Sequence, residues 1–252
     1  MEKNPVIQVK NLVVRYGDKV ILDHINFNVF KGEIVAVLGA SGCGKTTFLR
    51  HIVGLGKPFS GNVFIDGDEI TSDNEDTFRS AIRKIGILFQ GGALFGSMTL
   101  AENVALPITE YSGLPKNAVA HLVRMKLDLV NLAGFENHLP SEISGGMKKR
   151  AALARALALN PKILFLDEPS AGLDPIISAE IDELILSINQ RIGTTIVMVT
   201  HELESIFRVA RRAVMLDGNI KNIIADGAPE FLKNHSPNPF VKQFFNREAR
   251  IV

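Results

Sequence analysis

The sequence predicts an α/β fold: a parallel-sheet core with a small antiparallel sheet at its start and a helical insertion. Three observations carry that prediction. Short, nearly continuous apolar runs at Ile34–Leu38, Ile163–Leu166 and Thr195–Val199 have the character of parallel strands covered by helices on both faces. In His24-Ile25-Asn26-Phe27-Asn28-Val29 polar and apolar side chains alternate, as on a half-buried antiparallel strand. From about 91 to 160 the chain reads as helix, punctuated by Pro107, Pro115, Pro140 and Pro161.

Taken in order, residues 6–30 read as strands, and Asn62–Ile70 as another short strand with a turn at Asp66-Gly67. No internal repeat or low-complexity tract interrupts the chain. Its 252 residues suit one large domain, or a core with an inserted lobe. The 28 Lys+Arg against 27 Asp+Glu leave no basic excess, which argues against a nucleic-acid partner. The single cysteine excludes an internal disulfide, no Cys/His cluster has zinc spacing, and an intracellular protein is expected. Met1-Glu-Lys-Asn-Pro lacks the apolar stretch of a secretory signal, and nowhere do ~18 apolar residues run uninterrupted. Any membrane role is expected to go through a partner.

The first apolar strand runs straight into Gly39-Ala-Ser-Gly-Cys-Gly44-Lys45-Thr46 and then the helix-compatible Thr47-Phe-Leu-Arg50. This is Gly-x4-Gly-Lys-Thr in its required context, strand before and helix after. Glycines let consecutive N–H groups curl around phosphate oxygens, and the helix points its positive end at them. Gly39, Ser41, Gly42, Cys43, Gly44, Lys45, Thr46 and Thr47 are therefore candidate nucleotide-binding residues. Lys45 is expected on the β- and γ-phosphates and the Thr46 hydroxyl on Mg2+. The second candidate is the strand end Ile163-Leu-Phe-Leu166-Asp167-Glu168-Pro169. Adjacent strand residues point opposite ways, which would let Asp167 join the Mg2+ shell while Glu168 accepts the proton of an attacking water. Taken alone, the pair also fits a solvated acidic turn.

Between these motifs lies Ile143-Ser-Gly-Gly-Met147, followed by Lys148-Lys149-Arg150-Ala-Ala-Leu-Ala-Arg155. Here the sequence resembles the ATP-binding subunits of ABC transporters, whose signature is Leu-Ser-Gly-Gly-Gln. The resemblance covers about residues 6–220 and implies a P-loop NTPase of ABC type, one domain over 1–252. The helical subdomain falls at about 91–160 and a C-terminal arm at about 236–252. It implies ATP and Mg2+ as cofactors, and a homodimer in which Ser144, Gly145 and Gly146 bind ATP held by the other subunit. Alone, the segment is equally a capped amphipathic helix with Lys148, Lys149 and Arg150 as its wet face. The resemblance places Tyr16 under adenine, Gln90 on Mg2+ and the water, Asp174 in a loop that communicates across the dimer, and His201 near the γ-phosphate. From pattern alone Tyr16 also fits a core-packed strand end, Gln90 a polar residue leaving a strand, Asp174 a helix cap before Pro175, and His201 a structural histidine.

Met147 replaces the signature glutamine and removes an amide near the transferred phosphate; with Ser144–Gly146 intact, activity is expected to survive. Ser-Gly-Gly-Met, Phe89-Gln-Gly-Gly-Ala-Leu-Phe95 and Met98-Thr-Leu-Ala-Glu-Asn-Val-Ala-Leu-Pro107 resemble one branch, the ATPases of Mla-type, MCE-associated lipid transporters. That branch implies membrane permease subunits, an MCE substrate-binding protein, a STAS-domain partner, phospholipid cargo, and a peripheral position on the cytoplasmic face of the inner membrane. An ABC ATPase serving another substrate, a non-transport ABC ATPase and a regulatory subunit with little turnover are the alternatives. Gly91–Phe95 fits either a groove that receives a permease helix or a buried loop. Phe240/Phe244 and Val241/Phe245 have helical spacing, for an arm that packs on its own domain or on a partner. Cys43 either fills a small slot in the loop or is a reactive thiol.

Overall fold

Alternation in the first thirty residues becomes a sheet with a wet and a dry face. β1 (Ile7–Tyr16) pairs antiparallel with β2 (Lys19–Val29). Along β2, Ile25, Phe27 and Val29 are buried while His24, Asn26 and Asn28 are exposed. An irregularity in register near Asn11, whose φ is 48°, is closed by side chains. The Asn11 N–H donates to Asn26 Oδ1, and Asn26 Nδ2 donates back to Asn11 Oδ1, each at 3.0 Å. The computed structural model describes residues 4–248, and the chain divides into two compact units, Met1–Ile82 with Thr195–Val252, and Arg83–Thr194.

In the first unit β3 (Ile34–Leu38) is buried along its whole length and leads through the glycine loop into α1 (Lys45–Ile52). β4 (Ser60–Ile65) returns to β1, and β5 (Asp68–Glu69) follows the Asp66-Gly67 turn, giving the order β2-β1-β4-β5. α2 (Glu75–Ile82) closes this stretch.

The second unit opens with β6 (Ile85–Leu88), followed by α3 (Leu100–Ser112), α4 (Lys116–Leu129), a 3-10 turn at Pro140–Glu142, and α5 (Gly145–Ala156). β7 (Ile163–Asp167) pairs parallel with β6, and α6 (Pro175–Ile192) ends the unit. α3 starts at a reciprocal cap: the Glu102 N–H donates to Thr99 Oγ1 (3.2 Å) and the Thr99 N–H to Glu102 Oε2 (2.7 Å). From the first turn of α3, buried Asn103 ties down the preceding loop. It accepts from the Phe95 N–H (2.8 Å) and donates to the carbonyls of Phe95 (3.1 Å), Met98 (3.1 Å) and Thr99 (3.0 Å).

The chain then returns to the first unit with β8 (Thr195–Val199), α7 (Leu203–Val209), β9 (Arg212–Asp217) and β10 (Asn222–Gly227). Here β3 runs parallel to both β8 and β9, and β10 is antiparallel to β9, the order being β10-β9-β3-β8. Arg212 locks this edge: it pairs with Asp226 at 2.6 Å and Glu33 at 3.5 Å and donates to the Asn28 carbonyl at 2.9 Å. These partners hold its guanidinium above its ordinary pKa, the Asp226 hydrogen bond foremost. α8 (Pro229–His235) and α9 (Pro239–Asn246) finish the chain. Val241 and Phe245 are buried, and the Phe245 ring meets Phe207 of α7 edge-on at 5.8 Å between centroids. The C-terminal arm thus packs on its own unit; residues 249–252, its expected end, lie outside the described residues.

Candidate active site

The residues singled out from the sequence fall into two groups, one in each unit. The first is the glycine loop with Tyr16 and His201. Gly39 leaves β3 at φ 149°, where any Cβ would overlap the Leu216 carbonyl oxygen. Only glycine lets the loop lie this close to β9. Gly44 enters α1 at φ 105°. The Lys45 ammonium folds back over the loop, donating to the carbonyls of Gly39 (2.9 Å) and Ala40 (3.0 Å). Phe48 and Leu49 anchor α1 in the core, while Ser41, Gly42 and Thr46 are exposed and Thr47 is half-buried. No acidic side chain sits in the first turn of α1, so its N–H groups and dipole are free to face an anion.

Cys43 is buried within this loop, filling the small slot. Burial pushes its thiol pKa up, outweighing the opposing pull of Lys45. Tyr16 ends β1 with 58% of its surface exposed, so it is not packed on the core. His201 follows β8 and is exposed.

The second group surrounds the end of β7. Asp167 is the last strand residue, and both it and Glu168 are buried. The strand alternation expected to send these two side chains opposite ways does not extend to Glu168. Glu168 has φ 49°, outside the strand, so a left-handed backbone turn separates them rather than strand alternation. Gln90 is exposed two residues beyond β6. Its backbone carbonyl and that of Glu168 both accept from one ammonium, Lys149, the second at 3.0 Å. The capped-helix alternative put Lys149 on a wet face together with Lys148 and Arg150. Only Lys148 is exposed; Lys149 is 8% exposed, and Arg150 pairs with Glu180 of α6. Six residues on, Arg155 donates to the carbonyls of Gly92 (2.8 Å) and Ala93 (2.7 Å), and burial lowers its guanidinium pKa.

Ser144 caps α5, its hydroxyl accepting from the Met147 N–H at 3.3 Å. Gly145 is exposed, while Gly146 is buried where a Cβ would come within 2.6 Å of Ile177 on α6. Asp174 caps α6 by accepting from the N–H groups of Ile176 and Ile177, each at 3.0 Å. Both residues therefore do the local work that their plainer readings predicted. A hollow of about 390 Å3 lies between α3 and α4, lined by Ala101, Ala105, Leu114, Val119 and Val123 and edged by Glu102, Lys116 and Arg124. Sequence reasoning sought such a groove at 91–95. The signal for this one was the small residues Ala101, Ala105 and Thr109 at helical spacing on α3.

A family model for ABC transporters matches residues 22–171, more than half of the chain. The chain belongs to the ABC transporter family. It is similar to the intermembrane phospholipid transport system ATP-binding protein MlaF of Haemophilus influenzae, 41% identical over 97% of this chain and 91% of that one. It is also similar to a probable ribonucleotide transport ATP-binding protein, mkl, of Mycobacterium leprae, 40% identical over 98% of this chain and 70% of that one. Among solved structures, a dimeric post-hydrolysis state of the ATP-binding cassette MJ0796 bound to ADP and Pi superposes with a TM-score of 0.80 at 33% identity. It covers 88% of this chain and 98% of that one. The α/β architecture is that of an ABC cassette, and the chain is the ATP-hydrolysing motor subunit of a transporter, working with ATP and Mg2+. No helix among the described residues of this ABC ATPase is long and apolar enough to cross a membrane.

Proposed function

We propose that this ABC ATPase powers phospholipid transport across a bacterial envelope, as a peripheral subunit on the cytoplasmic face of the inner membrane. The observation that carries this reading is the 41% identity to a phospholipid-transport ATPase over 97% of the chain. Two copies act head to tail, a reading supported by the dimeric state named for the MJ0796 cassette. Each chain is read as one domain with its helical portion at about 91–160 and its arm at about 236–252. Membrane permease subunits, an MCE substrate-binding protein and a STAS-domain protein complete the assembly. The charged-rimmed apolar hollow between α3 and α4 has the chemistry of a seat for a short permease helix.

In this reading Gly39, Ser41, Gly42, Cys43, Gly44 and Thr47 line the phosphates of ATP with backbone and side-chain donors. Lys45 exchanges its two loop carbonyls for β- and γ-phosphate oxygens. The loop geometry supports this, since its donors and the α1 N-terminus converge without an acidic neighbour in that turn. The Thr46 hydroxyl, the Asp167 carboxylate and the Gln90 amide offer the hard oxygen donors that Mg2+ takes alongside phosphate. When bound, Mg2+ neutralises charge on the transferring group. Glu168 accepts the proton of the attacking water, and His201 donates to the γ-phosphate. Tyr16 presents an exposed ring to adenine. Ser144, Gly145 and Gly146 offer the α5 N-terminus to the other subunit's ATP, and Asp174 holds the loop that meets it.

Purification of the tagged chain from detergent-solubilised native membranes, with mass spectrometry of proteins and lipids, tests the assignment. A permease, an MCE protein and phospholipid are expected. The similarity to mkl favours a second reading, ribonucleotide transport; a permease with no MCE protein, and transport ATPase stimulated by ribonucleotide rather than lipid, would establish it instead. Ribosomal or DNA-repair partners without any membrane protein would overturn the cargo reading altogether.

A further inference from the structure

A buried ammonium is costly unless each of its donors finds an acceptor. Lys149 is 8% exposed inside the second unit, and two of its acceptors come from segments far apart in sequence. One is the Gln90 carbonyl, 59 residues away, and the other is the Glu168 carbonyl, 19 residues away at 3.0 Å. The bond to Glu168 falls on the residue that leaves β7 at φ 49°, a left-handed conformation that a side chain with a Cβ adopts only when its surroundings hold it there. From further along α5, Arg155 takes the carbonyls of Gly92 and Ala93. Between them, Ala152 lies where a Cβ on Gly92 would touch it at 3.4 Å. The 90–93 loop is thus bolted to α5 at two points, and one of those bolts also holds Glu168.

We infer that Lys149 is a positioning residue that couples the Gln90 loop to the catalytic carboxylate. Through it, a displacement of the loop or of α5 is transmitted to the backbone turn that points Glu168. A shift of the loop that pulls Lys149 away releases the turn, and Glu168 loses its aim at the water. Lys149 touches neither nucleotide nor water in this scheme. It acts through Glu168, and so the inference rests on the proposed role of Glu168 while being independent of the cargo.

The test is a double-mutant cycle on the full-length ATPase, with Lys149→Met, Lys149→Gln and Lys149→Arg examined alone and together with Glu168→Gln. Steady-state kinetics, single-turnover hydrolysis and thermal melting are measured. For Lys149→Met we expect kcat to fall by roughly tenfold or more while KM for ATP stays within about twofold, because only positioning of the base is lost. Arg, which can reach both carbonyls, restores kcat to within about threefold of wild type, and Gln, with one amide, falls between. On the Glu168→Gln background the same Lys149→Met change costs less than about twofold in single-turnover rate, since the group it positions is already gone. An equal loss on both backgrounds, a loss in which KM rises in parallel, or no loss in kcat would each overturn the inference. Should Lys149→Met fail to fold, Lys149→Gln and Lys149→Arg decide it by the same comparison. Normal turnover in Glu168→Gln alone would instead overturn the role of Glu168.

Discussion

The 39–46 loop and the 90–95 loop are similar in length and are held by opposite means. The first is fixed largely by its own backbone: glycine conformations, the Cys43 N–H on the Ala40 carbonyl at 3.2 Å, and Lys45 reaching back five and six residues. The second is fixed by side chains that arrive from 59 to 63 residues away on α5, and by Asn103 at the start of α3. A loop held by itself keeps its shape wherever it is carried, which suits the phosphate-binding role proposed for it. A loop held by a distant helix moves when that helix moves, through charge-assisted hydrogen bonds worth roughly 1.5–3 kcal/mol each. Rigid recognition and transmissible motion thus follow from where the bonding partners lie in sequence.

Three perturbations sharpen the contrast. The largest effect belongs to Glu168→Gln, which keeps the shape of the side chain and removes the proposed base. Phosphate release should fall by about 10²–10⁴-fold while ATP affinity, measured with a fluorescent nucleotide, is nearly unchanged. Next come paired glycine substitutions. Gly39→Ala drives a Cβ into the Leu216 carbonyl oxygen and to 2.6 Å from the Cys43 sulfur. It should cost about 2–4 kcal/mol in chemical denaturation and abolish nucleotide binding. Gly92→Ala, at φ 74° with the Ala152 methyl at 3.4 Å and the Lys148 carbonyl oxygen at 3.8 Å from the new Cβ, should cost about 1 kcal/mol and leave ATP affinity intact. Equal costs for the two would erase the distinction between the loops. The smallest effect concerns Cys43. Its raised pKa leaves less thiolate at any pH below that value, so iodoacetamide labelling at pH 7 should be slower than for an exposed cysteine. The rate should climb as pH rises, and ATP should suppress it; a pH-independent rate would contradict the burial of the thiol.

That contrast also explains what could be read in advance. The phosphate loop was legible because all its parts lie within eight residues, between an apolar run and a helix, and β3, β7 and β8 were legible because burial on both faces writes an unbroken apolar run. β9 and β10 were missed: Arg212 opens one strand and Asn222 the other, and polar edge residues mask the apolar pattern. The 91–160 stretch held its helices, yet 91–99 is a loop rather than helix, kept in place by Asn103 and Arg155. Lys149 read as solvated because three consecutive cations at a helix start are usually a wet face. The acceptors that tie it to Gln90 and Glu168 are backbone carbonyls, which carry no residue signature at all. The turn at Glu168 was hidden for the same reason, since nothing in the letters Asp-Glu-Pro reports a positive φ.

Asn103 has a consequence of its own. Its side chain is fully buried, and its amide gives to three carbonyls and takes from one N–H, all within the chain from Phe95 to Thr99. Aspartate has no hydrogen to give those carbonyls, leucine has neither donor nor acceptor, and glutamine is too long for a closed space. In a saturation library the position would register as intolerant as a catalytic carboxylate, although its bonds go only to a loop backbone. Intolerance to replacement, in this fold, marks what shapes a moving part as readily as what performs the chemistry.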